Sequence, residues 1–576
     1  MLEFIYSVFD AINFFLKPFL SILAFYVLTK SFLSLKDNRP QKSPLIMLKG
    51  KKSDNSIPVM YWENSIGRSK SSDIFLSDMT LSRDHAVLYR RKKGWFISDT
   101  DSKAGVIVNG KKIEKPKILN IDDEIKLGSD KFLIKNTTSY EDEYDLASVS
   151  KKIEISRSSG QKLLLLAVNF FHFCLAVQVL FSKIKKYKKN DANLITEYLS
   201  TNEIFDVFAP FLIVFVSSWI FFFISKFILG RKNFEIESIG IFLSGVGIIL
   251  VGSEKLEDIY MQAFCFIIGF FGFCFLVFFM RNLENMSRLR SIVTIAAVLF
   301  FLLNLVLAKE YNGSKNWIML GSVFIQPSEF VKIAFVFVGA STLDKLQTKK
   351  NLGGFILFSA FCIGCLFLMR DFGTACVFFV AFLVSSFMRS GSIRTVILSC
   401  SAAVMGAFII LNFKPYVAAR FSVWQHVLEN SQTGGYQQAR ALSYASSGGL
   451  LGIGCGNGSL RYIFAGTSDL MFPTIVEELG LIIGIVIILM IAFLAFFARN
   501  SSEKCRSTFY SISSCTAAAI LVFQASLHIF GSTDVLPLTG VTLPFLSLGG
   551  SSMISTWGML AFIKACDNRT YFYSKG

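Results

Sequence analysis

This chain has little histidine, little charge and no ordered pattern of cysteine, and each shortage closes off a class of function. The four histidines, His85, His172, His426 and His528, are scattered through 576 residues and offer no metal cluster. The 11 cysteines all lie at or after Cys174, mostly in apolar runs. Cys362 and Cys365 form a C-x-x-C inside an apolar helix, so buried, unpaired thiols are expected rather than a zinc site or a disulfide framework. Charged residues make up 17% against 53% hydrophobic, with 61 Phe, and mean hydropathy is +0.52. That excludes an ordinary soluble domain and indicates a polytopic membrane protein with a smaller soluble part. The charges are unbalanced, 58 Lys and Arg against 41 Asp and Glu, net +17. No nucleic-acid module accompanies the excess, so nucleic acid is not an expected partner; basic cytoplasmic loops account for it.

Residues 4 to 33 are apolar apart from Asp10 and Lys17. A cleaved signal peptide is the alternative, but the run is long, with neither a basic start nor a small-residue cleavage site. It reads as an anchor within residues 1–36, amino end outside. Residues 40–140 carry short alternating runs such as Trp95-Phe96-Ile97 and Phe132-Leu133-Ile134, with turn pairs Asn109-Gly110 and Gly128-Ser129, which predicts an all-β domain. Residues 141–161, with Glu141-Asp142-Glu143, read as a linker. Two extra membrane helices are expected in 162–236, then a membrane domain over 237–576. Thirteen hydrophobic segments can be counted in all, one of them 474–498. Lys and Arg flank the loops 230–236, 281–290, 344–351, 389–394 and 499–506, which puts these loops and the β domain in the cytoplasm. The loops 309–328, 413–472 and 531–547 then lie outside. The cluster Lys183, Lys185, Lys186, Lys188 and Lys189 would also lie outside, against the charge rule.

Residues 413–472 form one long polar loop in an otherwise apolar half. It holds Tyr436-Gln437-Gln438, the run Gly448-Gly449-Leu450-Leu451-Gly452-Ile453-Gly454 and the acid Asp469. A long loop with a carboxylate ahead of a membrane helix suggests chemistry at the membrane surface. Three further outer segments are polar. In Gln326-Pro327-Ser328-Glu329-Phe330-Val331-Lys332, Pro327 starts a helix and Glu329 and Lys332 are i,i+3 neighbours that can pair. Arg370-Asp371-Phe372-Gly373-Thr374 breaks two apolar runs, with Asp371 as ion pair, cap or ligand group. Pro537-Leu538-Thr539-Gly540-Val541-Thr542-Leu543-Pro544, followed by Gly549-Gly550-Ser551-Ser552, is an interrupted segment that needs protein or a polar cavity around it.

The strings Q-P-S-E-F-x-K, D-x-G-T-A, S-G-G-L-x-G-x-G, S-D-x-x-F…E-E-L-G and T-G-x-x-L-P-F-x-S-x-G-G-S-S fall in one order, and with them the chain resembles the SEDS proteins, the FtsW/RodA/SpoVE group, over roughly 237–566. The resemblance implies a mainly α polytopic membrane protein, a ten-helix SEDS core plus about three extra helices. It implies a peptidoglycan glycosyltransferase that polymerises lipid II at the outer face of the cytoplasmic membrane, releases undecaprenyl diphosphate and works with a class B penicillin-binding protein. Asp469 matches the catalytic acid, which would take the proton of the acceptor sugar hydroxyl, help worth about 10²–10⁴-fold. Cations or a divalent ion (Mg or Mn) would steady the diphosphate. The expected substrate-binding residues are Lys315, Trp317, Gln326, Glu329, Lys332, Asp371, Arg420, Gln437, Thr539 and Ser551, with Arg440 a further nearby cation. The chain departs from the pattern in places. Ile463-Phe464-Ala465-Gly466-Thr467-Ser468 replaces L-P-E-x-x-T before Asp469, Arg461 stands where an acid is frequent, Gly313-Ser314-Lys315-Asn316-Trp317 loses one Arg of G-A-R-R-W, and Arg370 replaces a proline.

The β domain carries Gly67-Arg68, Ser82-Arg83-Asp84-His85, Asp99 and Asn109-Gly110, a spacing similar to the forkhead-associated (FHA) phosphothreonine readers. The resemblance implies a β-sandwich in which Arg68, Ser82, Arg83, Lys103 and Asn109 hold a phosphothreonine-containing protein, with charge-assisted bonds to the phosphate, while His85 braces the loop. Ala104 stands in place of the expected Asn. Coupling of wall synthesis in division, elongation or sporulation to a Ser/Thr kinase follows. A precursor transporter and an inactive scaffold stay open as alternatives.

Overall fold

The computed structural model describes residues 2–36, 44–51, 56–69, 72–91, 94–136, 146–188, 201–228, 233–253, 256–280, 283–311, 314–320, 323–344, 349–390, 393–413, 421–505 and 507–567. Helix α1 spans Leu2–Lys36. Eleven strands follow: β1 Ile46–Gly50, β2 Ser56–Val59, β3 Glu63–Gly67, β4 Ile74–Phe75, β5 Ala86–Arg91, β6 Gly94–Asp99, β7 Val106–Val108, β8 Lys111–Lys112, β9 Lys117–Leu119, β10 Glu124–Leu127 and β11 Asp130–Lys135. They form two sheets, ordered β2-β1-β11-β10-β7-β8 and β4-β3-β5-β6-β9. Alternation decides which face is inward: in β10, Ile125 and Leu127 are buried and Glu124 and Lys126 are not. Ile66, Leu88, Ile97, Val106, Val108, Ile125 and Ile134 share one sandwich core. Asn109 (φ 51) and Gly110 (φ 77) make the two-residue turn between β7 and β8 that the Asn-Gly pair predicts.

Helices α2 Leu146–Lys188, α3 Thr201–Phe223, α4 Glu235–Gly252, α5 Leu256–Phe279 and α6 Leu283–Leu307 come next, then three short strands between Lys309 and Ile325. Helices α7 Pro327–Asp344, α8 Lys349–Leu368, α9 Phe372–Ser390, α10 Ile393–Phe413, α11 Tyr436–Gly448, α12 Met471–Leu479, α13 Leu481–Lys504, α14 Thr508–Ser532 and α15 Gly550–Ala565 complete the chain. Nine of the described helices are long and apolar enough to cross a bilayer, and the protein is an integral membrane protein.

One apolar core runs through the helical body. Trp557 on α15 sits at its centre, with the rings of Phe266, Phe270, Phe273 and Phe545 5.3–5.8 Å away. Helices α1, α2 and α3 pack along one side of this body. Phe32 of α1 stacks 5.4 Å from Phe496 of α13, and His172 of α2 bonds through Nε2 with the Phe242 carbonyl of α4 at 3.1 Å. Gly245 permits that approach, because a Cβ there would lie 2.3 Å from the His172 ring. Covered in this way, every residue of α4 is buried.

Three expectations are corrected. The stretch read as a linker over 141–161 is helical from Leu146; it has no proline and is rich in straight-chain helix formers. The segment read as continuous over 474–498 is two helices, broken at Gly480 (φ +94), where a Cβ would lie 2.3 Å from the Leu450 carbonyl oxygen. The long polar loop is not irregular throughout: it contains α11. The exposed Lys185 near the C-terminal end of α2 forms a 3.0 Å ion pair with Asp10 of α1, which answers part of the basic cluster there.

Candidate functional site

Four of the polar strings converge at one end of the helical body. Asp469 closes a series of tight turns, its N–H donating to the Ala465 carbonyl at 2.9 Å. The turns rest on the interrupted segment: the Leu548 N–H donates to the Thr467 carbonyl at 2.9 Å, and Ser547 Oγ donates to the Ser468 carbonyl at 2.6 Å. Gly540 (φ +71) lies under the acid, with Asp469 Oδ2 3.5 Å from where a Cβ would project. The same segment meets the next string, since a Cβ on Gly373 would lie 3.1 Å from Thr539 Cβ. The Thr539 hydroxyl is buried with no protein partner.

Asp371 anchors the neighbouring strings. Its Oδ2 accepts from Asn316 Nδ2 at 2.7 Å and from Gln326 Nε2 at 3.4 Å, and its Oδ1 accepts the Thr374 N–H at 3.1 Å. The Gln326 N–H donates to Ser551 Oγ at 3.2 Å. Beneath them Pro327 opens α7, as the sequence predicts, and Glu329 and Lys332 pair at 2.8 Å, 4% and 3% exposed. Ser555 donates to the other oxygen of Glu329. Lys332 donates to Gln524 Oε1 at 2.8 Å, and Gln524 Nε2 donates to the Thr542 carbonyl at 3.0 Å. Lys332 is thus a buried tie between α7, α14 and the interrupted segment. Lys315 is exposed, Trp317 is half-buried, and Gln437 donates to the Phe464 carbonyl at 3.3 Å, steadying the turn before Asp469. Arg420 lies outside the described residues.

The Gly-rich run is fastened to α12 and α13. Ile453 and Gly454 donate to the carbonyls of Glu477 and Glu478 at 3.0 and 2.9 Å. The two carboxylates, each 1% exposed, then capture four backbone N–H groups between Gly456 and Leu460. Glu478 accepts from Gly456 and Gly458 at 2.7 and 3.1 Å, and Glu477 from Ser459 and Leu460 at 2.7 and 3.0 Å. Charge-assisted bonds of this kind compensate the burial of a carboxylate. Sequence reasoning missed this clamp, along with Gln524 and Ser555; the only signal was two adjacent acids beside a run of glycines. Among the described residues no three His, Cys, Asp or Glu side chains come together to hold an ion.

The sandwich has its own polar cluster. Gly67 brings β3 against the loop before β5, where a Cβ would lie 2.1 Å from the Arg83 carbonyl oxygen. Arg68 donates its N–H to the Ser82 carbonyl at 3.0 Å and leaves its side chain exposed. Ser82 Oγ accepts the Lys103 N–H at 3.1 Å, and Arg83 is exposed on the same loop. Buried His85 accepts the Ser82 N–H on Nδ1 at 3.2 Å, and burial holds its imidazole below the ordinary value. Asp78 accepts from the N–H and hydroxyl of both Thr80 and Ser129. These bonds, the Thr80 hydroxyl foremost, hold its carboxyl well below the usual range. Asn109 is engaged elsewhere: its amide donates to Asp123 and accepts the Glu124 N–H, both at 2.8 Å. The sandwich meets the helical body where Ser507 Oγ donates to Glu63 at 3.4 Å. Ser507 follows the far end of α13 from the Gly-rich run, and α13 has 24 residues, about 36 Å at 1.5 Å per residue.

A helical membrane body with polar strings gathered at one end, and a β-sandwich with a basic and hydroxyl cluster at the other, defines a polytopic membrane protein with a recognition domain. Residues 241–571, more than half of the chain, match the FtsW/RodA/SpoVE family, described as cell cycle protein, and the chain belongs to that family. Residues 64–128 match the FHA domain. The chain is 29% identical over 365 residues to the probable peptidoglycan glycosyltransferase FtsW of Buchnera aphidicola subsp. Acyrthosiphon pisum (strain APS), covering 60% of this chain and 91% of that one. It is 24% identical over 351 residues to the peptidoglycan glycosyltransferase RodA of Mycobacterium bovis, covering 56% and 75%. Its fold is similar to a chain of a solved peptidoglycan synthase complex that coordinates polymerization and crosslinking, with TM-score 0.50, 22% identity and coverage of 60% of this chain and 99% of that one.

Proposed function

We propose that the protein polymerises lipid II into peptidoglycan glycan strands at the outer face of the cytoplasmic membrane, under the control of a cytoplasmic phosphothreonine-binding domain. The observation that carries this reading is Asp469, a carboxylate seated on Gly540 where the polar strings meet, at the opposite end of α13 from the sandwich contact. The sandwich end is the end of the basic loop 499–506, the side that Lys and Arg favour in the cytoplasm.

In this mechanism Asp469 accepts the proton of the acceptor sugar 4-hydroxyl while that oxygen forms a bond to the donor's anomeric carbon. The bond from that carbon to undecaprenyl diphosphate breaks, and the electron pair leaves with the diphosphate. Its charge falls to exposed cations at this end, Lys315 and Arg440, and no step runs through a protein-held metal. Arg420 and a diphosphate-borne Mg or Mn ion remain candidates for the same task. A class B penicillin-binding protein is the partner that would cross-link the strands. Arg68, Ser82, Arg83 and Lys103 together suit a phosphate dianion, so the ligand is a phosphothreonine-containing protein in division, elongation or sporulation. The transporter reading needs ionisable groups free to work within the bundle. Glu477 and Glu478 instead have their oxygens bound to backbone N–H groups.

The test is glycan synthesis by the purified protein and its penicillin-binding partner from lipid II. Asp469→Asn should stop it while leaving the fold intact. Undiminished polymer from that variant removes Asp469 from the mechanism, and lipid II translocation without polymer would favour the transporter.

A further inference from the structure

The three helices around the sandwich in sequence lie outside the part of the chain that matches the family, and two of them reach the loop that bears Asp469. Buried Gln178 of α2, 2% exposed, uses both ends of its amide: Nε2 donates to Asn13 Oδ1 of α1 at 3.0 Å, and Oε1 accepts the Cys455 N–H at 3.3 Å. One turn on, the Ser182 hydroxyl lies 2.7 Å from the Gly456 carbonyl oxygen and 2.8 Å from Asn457 Oδ1. The seat is close. A Cβ on Gly456 (φ +84) would meet Ser182 at 3.1 Å, and one on Gly454 (φ +106) would meet Asn13 at 3.2 Å. Phe9 stacked on Phe181 at 4.4 Å and the Asp10–Lys185 pair close the outer end of the two helices.

Polar groups on otherwise apolar helices are unfavourable unless they find partners. Here the partners are the backbone of one glycine turn, gripped from the opposite side by Glu477 and Glu478. From Leu460 to Asp469 the chain has little slack: Ile463 donates to Leu460, Gly466 to Ile463 and Asp469 to Ala465, each at 2.9 Å. A shift of the turn is therefore passed on to the carboxylate.

We infer that Gln178 and Ser182 are positioning residues for Asp469, and that α1 and α2 form a strap through which the sandwich, spliced between them, acts on the outer loop. This rests on the reading of Asp469 given above. The strap suits a binding domain on one side of the bilayer that controls a carboxylate on the other, because each of its helices is covalently joined to the sandwich.

The test uses the full chain in lipid nanodiscs. Amide hydrogen exchange over 453–470 is compared for wild type, Gln178→Leu, Ser182→Ala, the double variant and the conservative Ser182→Thr. Loss of the two contacts should speed exchange there roughly tenfold in the double variant, with Ser182→Thr close to wild type and the rest of the body unchanged. With lipid II the double variant should lose kcat by a similar factor and keep its KM. Unaltered exchange over 453–470, or a rise spread evenly through the protein, overturns the positioning role. If wild type makes no polymer, the enzymatic reading fails while the exchange result still stands or falls by itself. A degenerate phosphothreonine peptide pool, against the same pool unphosphorylated, should change exchange at 453–470 by about fivefold. No change overturns the link to the sandwich.

Discussion

Replacing Glu477 with Gln isolates the glutamate clamp. The carboxylate accepts from Ser459 at 2.7 Å and Leu460 at 3.0 Å, and it is 1% exposed. A glutamine in the same pose has one acceptor oxygen, so one N–H keeps a weaker bond and the other faces an NH₂ group. The loss is one charge-assisted bond, about 1.5–3 kcal/mol, together with a buried unsatisfied donor, about 1–3 kcal/mol. Taking the lower half of the combined range, about 2.5–4 kcal/mol, the turn opens roughly 70- to 800-fold more often. Exchange at the Ser459 and Leu460 amides should rise by that order. Exchange at Gly456 and Gly458, held by Glu478, should rise less.

The assay that matters is polymerisation as a function of lipid II. A turn that is open more often lowers the fraction of protein with Asp469 in place, which lowers kcat and leaves the affinity of sites formed by other strings alone. Glu477→Gln should therefore reduce kcat at least about tenfold with KM within about twofold. Exchange at residues 459 and 460 equal to wild type, with normal kcat, would refute the reasoning. It would mean that the backbone bonds from Ile453 and Gly454 hold the loop unaided.

Three further outcomes are expected. Arg68→Ala should weaken phosphothreonine-peptide binding by roughly 10- to 150-fold, the worth of a charge-assisted bond, measured by fluorescence anisotropy; equal affinity removes Arg68 from the site. Burial depresses the folded pKa of His85 below its ordinary 6.5, so the stability it contributes is complete above 6.5 and is lost as pH falls through the folded value. Pulse proteolysis of the sandwich should be faster at pH 5.5 than at pH 7.5 (about a unit either side of the ordinary imidazole value), and equal rates count against a buried neutral imidazole. Gly245→Ala drives a Cβ to 2.3 Å from the His172 ring. It should destabilise the body by about 1–3 kcal/mol, shorten the half-life at elevated temperature, and be relieved by His172→Ala in the same chain.

What could be read from the sequence follows the range of the forces involved. Apolar runs and period-two alternation are local, so the sandwich, the many apolar helices and the opening of α7 at Pro327 were all visible in the chain. The Glu329–Lys332 pair was visible too, because three residues on a helix are neighbours. The break at Gly480 was not: the apolar signal runs straight through it, and what demands a glycine is the Leu450 carbonyl 30 residues earlier. Gln178 and Ser182 were equally hidden, since their partners in the glycine turn lie more than 270 positions away. Asn109 illustrates the converse, a residue in a suggestive motif whose amide is committed to Asp123 and Glu124.

The departures from the family pattern make sense once their surroundings are known. Arg461, where an acid is frequent, is buried beside the Glu478 carboxylate, which feels its charge. An acid there would set a third buried negative charge beside Glu477 and Glu478, so the clamp and the basic residue suit one another. Asn316, where an arginine is usual, donates to Asp371 at 2.7 Å. It supplies a hydrogen bond without a cation. Arg370, in place of proline, has φ +62 and reaches Glu310 at 3.1 Å. Of the three changes, the one at Asn316 leaves less positive charge around Asp371 than the family string would supply, while the cation added at Arg370 is paired with Glu310. The exposed Lys315 and Arg440 then carry more of the attraction for a diphosphate, and neutralising either should raise KM for lipid II more than it lowers kcat. The opposite split would place that cation in the transition state rather than in substrate capture.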